Sequence, residues 1–177
     1  MPFEFKELEI KGTFVIRSKT FPDDRGYFTE TYKRSVFEAS GIHADFRQDN
    51  QSFSKKGTLR GLHFQKEPHA QGKLVRVVKG RIFDVGVDLR KDSNTYGKYI
   101  SAILSEENMD MLWIPEGFAH GFLALEDSVV LYKATNEYNK ESEGGIIWND
   151  PDIRIKWPEE PSEISPKDSQ WPYLKYL

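Results

Sequence analysis

From Phe83 to Arg90 the chain alternates with a period of two. Phe83, Val85, Val87 and Leu89 fall on one side, Asp84, Gly86, Asp88 and Arg90 on the other. Successive side chains of an extended backbone point to opposite faces, so this pattern predicts a β-sheet with one face buried in a core. The strand closes a longer segment, Gly57 to Arg90, that gathers reactive side chains. Arg60 and His63 flank Gly61 and Leu62 on what reads as one strand. A Pro- and Gly-bearing loop runs from Glu67 to Gly72, and Lys73 opens the next strand. A base, a guanidinium and an ammonium thus ride on neighbouring strands of one scaffold.

The rest of the chain reads the same way. Two strands are expected between Phe3 and Thr20, and others at Tyr27–Lys33, Phe46–Phe53, Tyr99–Leu104, Leu112–Ile114, around His120, at Val129–Thr135 and at Ile153–Trp157. PDDRG at 22–26 carries turn chemistry. Ser35 to Ser40 reads as a short helix with Ser35 as N-cap and Gly41 as its stop. NKESEGG reads as a polar loop, and Pro158 to Leu177 as an extended wrap with one helical turn near SPKDS. About ten short strands at this turn spacing predict an antiparallel β-sandwich or jelly-roll barrel, one domain over 1–177, with short peripheral helices. Aromatics make up 14% of the 177 residues and are spread throughout, which suits an all-β interior.

Composition excludes several classes of function. A net charge of -3 gives no footprint for a nucleic acid polymer. The absence of cysteine removes disulfides, thiol nucleophiles and thiolate metal sites together. The opening MPFEFKELEIK has no apolar signal region, and no apolar run reaches the roughly 20 residues a bilayer span needs. These features predict a cytoplasmic protein without a membrane partner.

Of four histidines, His43 and His69 fall in surface contexts. His63 and His120 lie in strands among small and aromatic neighbours. One such histidine is as readily a satisfied core residue as a functional one, but two on the strands of a small barrel favour a site. The Pro115, Gly117, His120 turn resembles a cupin motif. Metal-binding cupins pair it with an HxH, and here that position reads His63-Phe64-Gln65. Gln65 is a poor transition-metal ligand, so no metal is expected and His63 is free to act as a base. Tyr132 alternates with apolar residues and by itself reads as a core tyrosine. Lys73 reads as a solvated strand start, Gln48, Asp49 and Asn50 as a polar strand edge, and Glu143 as a loop residue.

Six blocks in order change that balance: DDRGYFTE, FRQDNQS, LRGLHFQ, QGKLVRVVKGRIFDVGVDLR, IPEGFAHGF, and EGGIIWNDPDI followed by SPKD. From about residue 5 to residue 170 the chain resembles the dTDP-4-dehydrorhamnose 3,5-epimerases, a family of cupin-like jelly rolls. Departures are mild: Gln51 where His is frequent, Glu116 where Pro is commoner, and a slightly long EPHAQG loop. The resemblance implies a dTDP-4-keto-6-deoxy sugar as substrate and no cofactor. It implies His63 as general base, Asp168 as its carboxylate partner, Tyr132 as general acid and Lys73 beside the keto oxygen. It further implies substrate contacts from Arg25, Glu30, Gln48, Asp49, Asn50, Arg60, His120, Glu143 and Lys167, with Tyr138 toward the thymine. A C3-only epimerase or a ketoisomerase on the same sugar is the near rival, and a non-catalytic jelly-roll binding protein the distant one. The resemblance, with alternating Phe3, Phe5, Leu8 and Ile10, also implies a homodimer formed by N-terminal strand exchange.

Overall fold

The computed structural model describes residues 2–177. Strands β1 (Phe3–Glu7) and β2 (Phe14–Ser18) are followed by a hairpin, β3 (Thr20–Asp23) and β4 (Gly26–Thr29), and by helix α1 (Arg34–Ala39). Then come β5 (Gln48–Ser54), β6 (Thr58–Gln65), β7 (Lys73–Lys79), β8 (Arg81–Asp88), β9 (Tyr99–Ser105) and β10 (Asp110–Ile114). Strands β11 (Phe118–Ala124), β12 (Ser128–Ala134), β13 (Glu143–Gly145) and β14 (Glu163–Ile164) complete the series. One sheet runs β1-β2-β10-β7-β12-β5, the other β13-β6-β11-β8-β9. Pairing within them is antiparallel; β14 adds to β6 in parallel. The expected antiparallel, cupin-like jelly roll is the fold.

The two sheets close on one another through interdigitated apolar side chains. Val75, Val77, Leu112, Ile114 and Val130 come from the first, and Ile82, Ile100, Leu104, Phe118 and Phe122 from the second. Each is almost fully buried, which stabilises the fold by about 1.5–3 kcal/mol per side chain. Helix α1 covers the back of the first sheet, where Phe37 meets Phe3, Phe5 and Tyr32 edge-on. The helix ends as anticipated: Gly41 takes φ +88°, and the Gly41 and Ile42 N–H groups close onto Glu38 and Phe37.

The alternating strand buries its apolar side, as its pattern predicts, and buries its polar side as well. The apolar side of β8 packs outward, under a lid of Ile146, Ile153, Trp157 and Leu174 from the C-terminal third. The polar side faces into the barrel, and Asp84 and Asp88 are completely buried. Both faces are covered, because the tail supplies a third layer.

Other boundaries also moved. Helix α1 begins at Arg34, and its N-cap, Lys33, makes no side-chain cap, so Ser35 lies inside the helix. The strand expected to run from Tyr27 to Lys33 ends at Thr29. Ile153–Trp157 is irregular. Its first N–H groups go to a side chain instead of a ladder: Asp150 Oδ1 accepts from Asp152 and Ile153, while Oδ2 takes Leu174. NKESEGG holds a 3-10 turn capped by Asn139 and then β13. At the amino end, β1 pairs with β2 of its own chain and buries Phe3.

Candidate active site

Arg60 and His63 are three residues apart, which on a regular strand would send them to opposite faces. The pairing of β6 with β11 removes the conflict. His63 lies opposite His120 and Arg60 opposite Phe122, so β6 carries one extra residue over that interval. This is a β-bulge, and it turns both side chains to the same side. Gly61 makes it possible: its φ is +128°, and a Cβ there would lie 2.6 Å from Gly121 Cα.

The result is one cavity of about 580 Å³ at the end of the barrel. Arg60, His63, Lys73, His120, Tyr132, Lys167 and Asp168 all line it. His63 and His120 come from the second sheet, Lys73 and Tyr132 from the first, so the groups face each other across the barrel. The C-terminal segment from Glu163 to Asp168 forms the remaining wall.

Two histidine–carboxylate pairs sit in it. His63 Nε2 is 2.6 Å from Asp168 Oδ1, and His120 Nε2 is 2.7 Å from Asp84 Oδ1. A carboxylate can only accept, so each Nε2 carries the proton and each Nδ1 is left with the lone pair. Asp168 is fixed in turn by the Gly61 N–H at 3.2 Å and the Trp171 indole at 3.2 Å. Burial opposes the charge on Asp168, but these hydrogen bonds outweigh it and hold its pKa below the usual value. Burial pushes His120 down despite Asp84, which keeps the ring neutral. Desolvation also lowers Lys73, to about 8, against the opposing charge of Asp84. Burial raises Tyr132, with Arg60 partly offsetting it, so its hydroxyl stays protonated at neutral pH. Arg60 is aimed by Ser54 Oγ at 2.8 Å and the Phe53 carbonyl at 2.9 Å.

Several expected residues lie at the mouth or elsewhere. Glu143 pairs with Lys167 and receives the Tyr138 hydroxyl at 3.2 Å, which makes a rim cluster. Gln48 donates to Asn50 and accepts from the Tyr138 N–H, and Asn50 is opposite Tyr132 in register. Asp49 points to the outer face of the sheet, where Lys133 Nζ binds it at 2.9 and 3.0 Å. Alternation along β5 sends it to the side opposite Gln48 and Asn50, and none of the three lines the cavity. Arg25 and Glu30 also lie outside; Arg25 bonds to Asp23 at the hairpin tip. Gln65 is spent on Asn139, through 2.7 and 2.8 Å bonds to its carbonyl and N–H. His43 is exposed, and His69 holds Ser142 at 2.9 Å. The reading of the sequence missed Asp84 and Trp171. Asp84 has a signal, an acid in an apolar alternation, but a period of two does not say which side lies inside the barrel.

This chain matches the model of the dTDP-4-dehydrorhamnose 3,5-epimerase family over residues 7–176. The chain belongs to that family. An epimerase of this name from Methanothermobacter thermautotrophicus is 50% identical over 177 residues, covering 98% of this chain and 95% of the relative. The crystal structure of the Sulfolobus tokodaii epimerase is 51% identical, with a TM-score of 0.92 over 99% of this chain and 97% of that one. The Legionella pneumophila enzyme, solved with dTDP-4-keto-L-rhamnose, is 42% identical with a TM-score of 0.95, covering 99% and 94%. As a member of this epimerase family, the chain is an isomerase acting on a dTDP-sugar.

Proposed function

We propose that this epimerase inverts C3 and C5 of dTDP-4-dehydro-6-deoxy-D-glucose, giving dTDP-4-dehydro-L-rhamnose through enolate intermediates. One observation carries the reading: a paired histidine and a protonated tyrosine face each other across a single cavity with an ammonium at its edge. A C–H next to a ketone is acidic only because the charge it leaves moves to oxygen. Lys73 stabilises that oxygen, and a preorganised cation in a shielded barrel does so better than water. Inversion needs a proton taken from one face and returned to the other. His63 Nδ1 takes it, Asp168 steadies the ring and its charged form, and Tyr132 delivers a proton from the opposite wall. Arg60 and Lys167 receive the diphosphate, and Tyr138 with Glu143 receives the base at the rim. The purified protein incubated in D₂O with the dTDP-4-keto sugar should give a product deuterated and inverted at both carbons by NMR. Inversion at C3 alone, or movement of the keto group, would assign the rival reactions instead.

A homodimer is part of this reading. Strand β1 is the edge of its sheet, so its outer backbone edge is open to a second copy, in keeping with strand exchange at the amino end. The β3–β4 hairpin exposes Phe21, Tyr27 and Phe28, the latter two by 62% and 66%. Arg25 and Glu30 are on or beside this hairpin, away from the chain's own cavity, and would serve substrate from a neighbouring subunit. Light scattering at micromolar concentration should give twice the chain mass. A monomer would remove this part.

A further inference from the structure

We propose that Trp171 is a positioning residue for the epimerisation: its indole holds the Asp168 carboxylate and the His63 ring against each other, so that His63 Nδ1 faces the substrate. The inference rests on His63 being the base of the reaction proposed above. The His63 side chain is 35% exposed, and its one hydrogen bond among the described residues is the 2.6 Å contact with Asp168. A ring held at a single atom can turn about that contact, so its aim depends on what holds the carboxylate. Asp168 is buried, and three donors reach it. The Gly61 N–H takes Oδ2 at 3.2 Å, while His63 Nε2 and the Trp171 Nε1–H, the latter at 3.2 Å, share Oδ1. Gly61 secures one oxygen. Trp171 is the donor, besides the base itself, that secures the other. The indole also meets the imidazole directly, tilted edge to face with ring centres 6.2 Å apart and planes at 71°.

The indole is itself wedged in place. Gly145 on β13 lies opposite His63 in register, and a Cβ on it would overlap Trp171 Cδ2, Cε2 and Nε1. The missing side chain leaves the space that the ring occupies. The adjacent Pro172 carbonyl accepts the Ile147 N–H at 3.0 Å, which ties the tail to the chain just beyond β13. At the other end of the turn, Ser165 Oγ accepts the Asp168 N–H at 3.0 Å. Asp168 and Trp171 therefore sit three positions apart on one turn that is fastened on both sides. A buried tryptophan N–H needs an acceptor of some kind; this one takes the very oxygen that receives the base. Trp171 is not among the residues that line the cavity, so it acts through Asp168 and His63.

Trp171→Phe keeps an aromatic ring above Gly145 and removes the N–H. Loss of one such hydrogen bond should lower kcat about two- to tenfold, with KM and dTDP affinity unchanged, because the nucleotide is held elsewhere. Proton NMR gives a second readout. The His63 Nε2–H resonance, held by Asp168, should be sharp in the native enzyme and broadened by exchange with water in the variant. A tryptophan that only fills space would move neither. If Trp171→Phe does not fold, benzothienylalanine at position 171 keeps the bicyclic shape and replaces only the N–H by sulfur; the same loss of kcat and the same broadening are expected. Native kcat with an unchanged His63 signal, or a fall in kcat matched by an equal fall in dTDP affinity, would overturn the proposal. Failure of the native enzyme to invert either carbon, or full activity of His63→Ala, would instead remove the reading beneath it.

Discussion

Replacing Lys73 by methionine removes an ammonium and keeps an unbranched side chain of similar length, which makes it a direct test of how this site stores electrostatic cost. In the folded chain desolvation carries Lys73 from 10.5 to about 8, with Asp84 already opposing the fall. That difference corresponds to about 3 kcal/mol disfavouring the charged form in the native state. The sign follows from linkage: a folded pKa below the unfolded one means the penalty is complete below pH 8 and fades as pH rises to 10.5. Lys73→Met should therefore be more stable than the native chain at pH 7, by about 3 kcal/mol at most, and lose that advantage by pH 10.5. Catalysis should move the other way, with kcat lower by about 10²–10³, as for loss of one enolate-stabilising donor. Urea unfolding at both pH values, beside an NMR epimerisation assay, reads out both halves. A variant that is less stable at pH 7, or whose stability difference does not change with pH, would refute the reasoning. Retained activity would place the charge stabilisation elsewhere.

Other outcomes separate the remaining roles. Tyr132→Phe keeps the base and the cation, so in D₂O it should exchange deuterium at C3 or C5 while inverting little; loss of exchange together with inversion would make Tyr132 part of deprotonation. His63→Ala should lose about 10²–10⁴ in rate, the range for a general base, and still bind dTDP; retention of more than about a hundredth of activity would disprove the assignment. Asp168→Ala should leave a weaker, misoriented base, with activity between those of His63→Ala and the native enzyme. Exhaustive chelation should leave turnover unchanged, because Gln65 fills a ligand position and is tied to Asn139; activity lost with stoichiometric metal would count against it.

What the sequence determined by itself was local and periodic. Alternation in β8 required a strand, Gly41 required a helix stop, and the residue types at 60, 63, 73 and 132 required little more than a pleated scaffold to be brought near one another. The order of blocks was sufficient for the family. Facing was decided by tertiary structure. Period two states that two sides differ; it cannot state which lies inside, and here the C-terminal tail covers the apolar side while acids go into the barrel. Arg60 and His63 share a wall because of one extra residue at Gly61, and whether a strand takes such a bulge depends on the neighbour it pairs with. Asp49 left the site for the same kind of reason, since one position along β5 reverses the side chain. The long-range partners were also invisible in the chain: Asp168 reaches His63 across 105 positions, and Asp84 reaches His120 across 36. Residue type fixes what a side chain can donate or accept, while only the closed barrel fixes to whom, because that depends on distances between segments that no local pattern encodes.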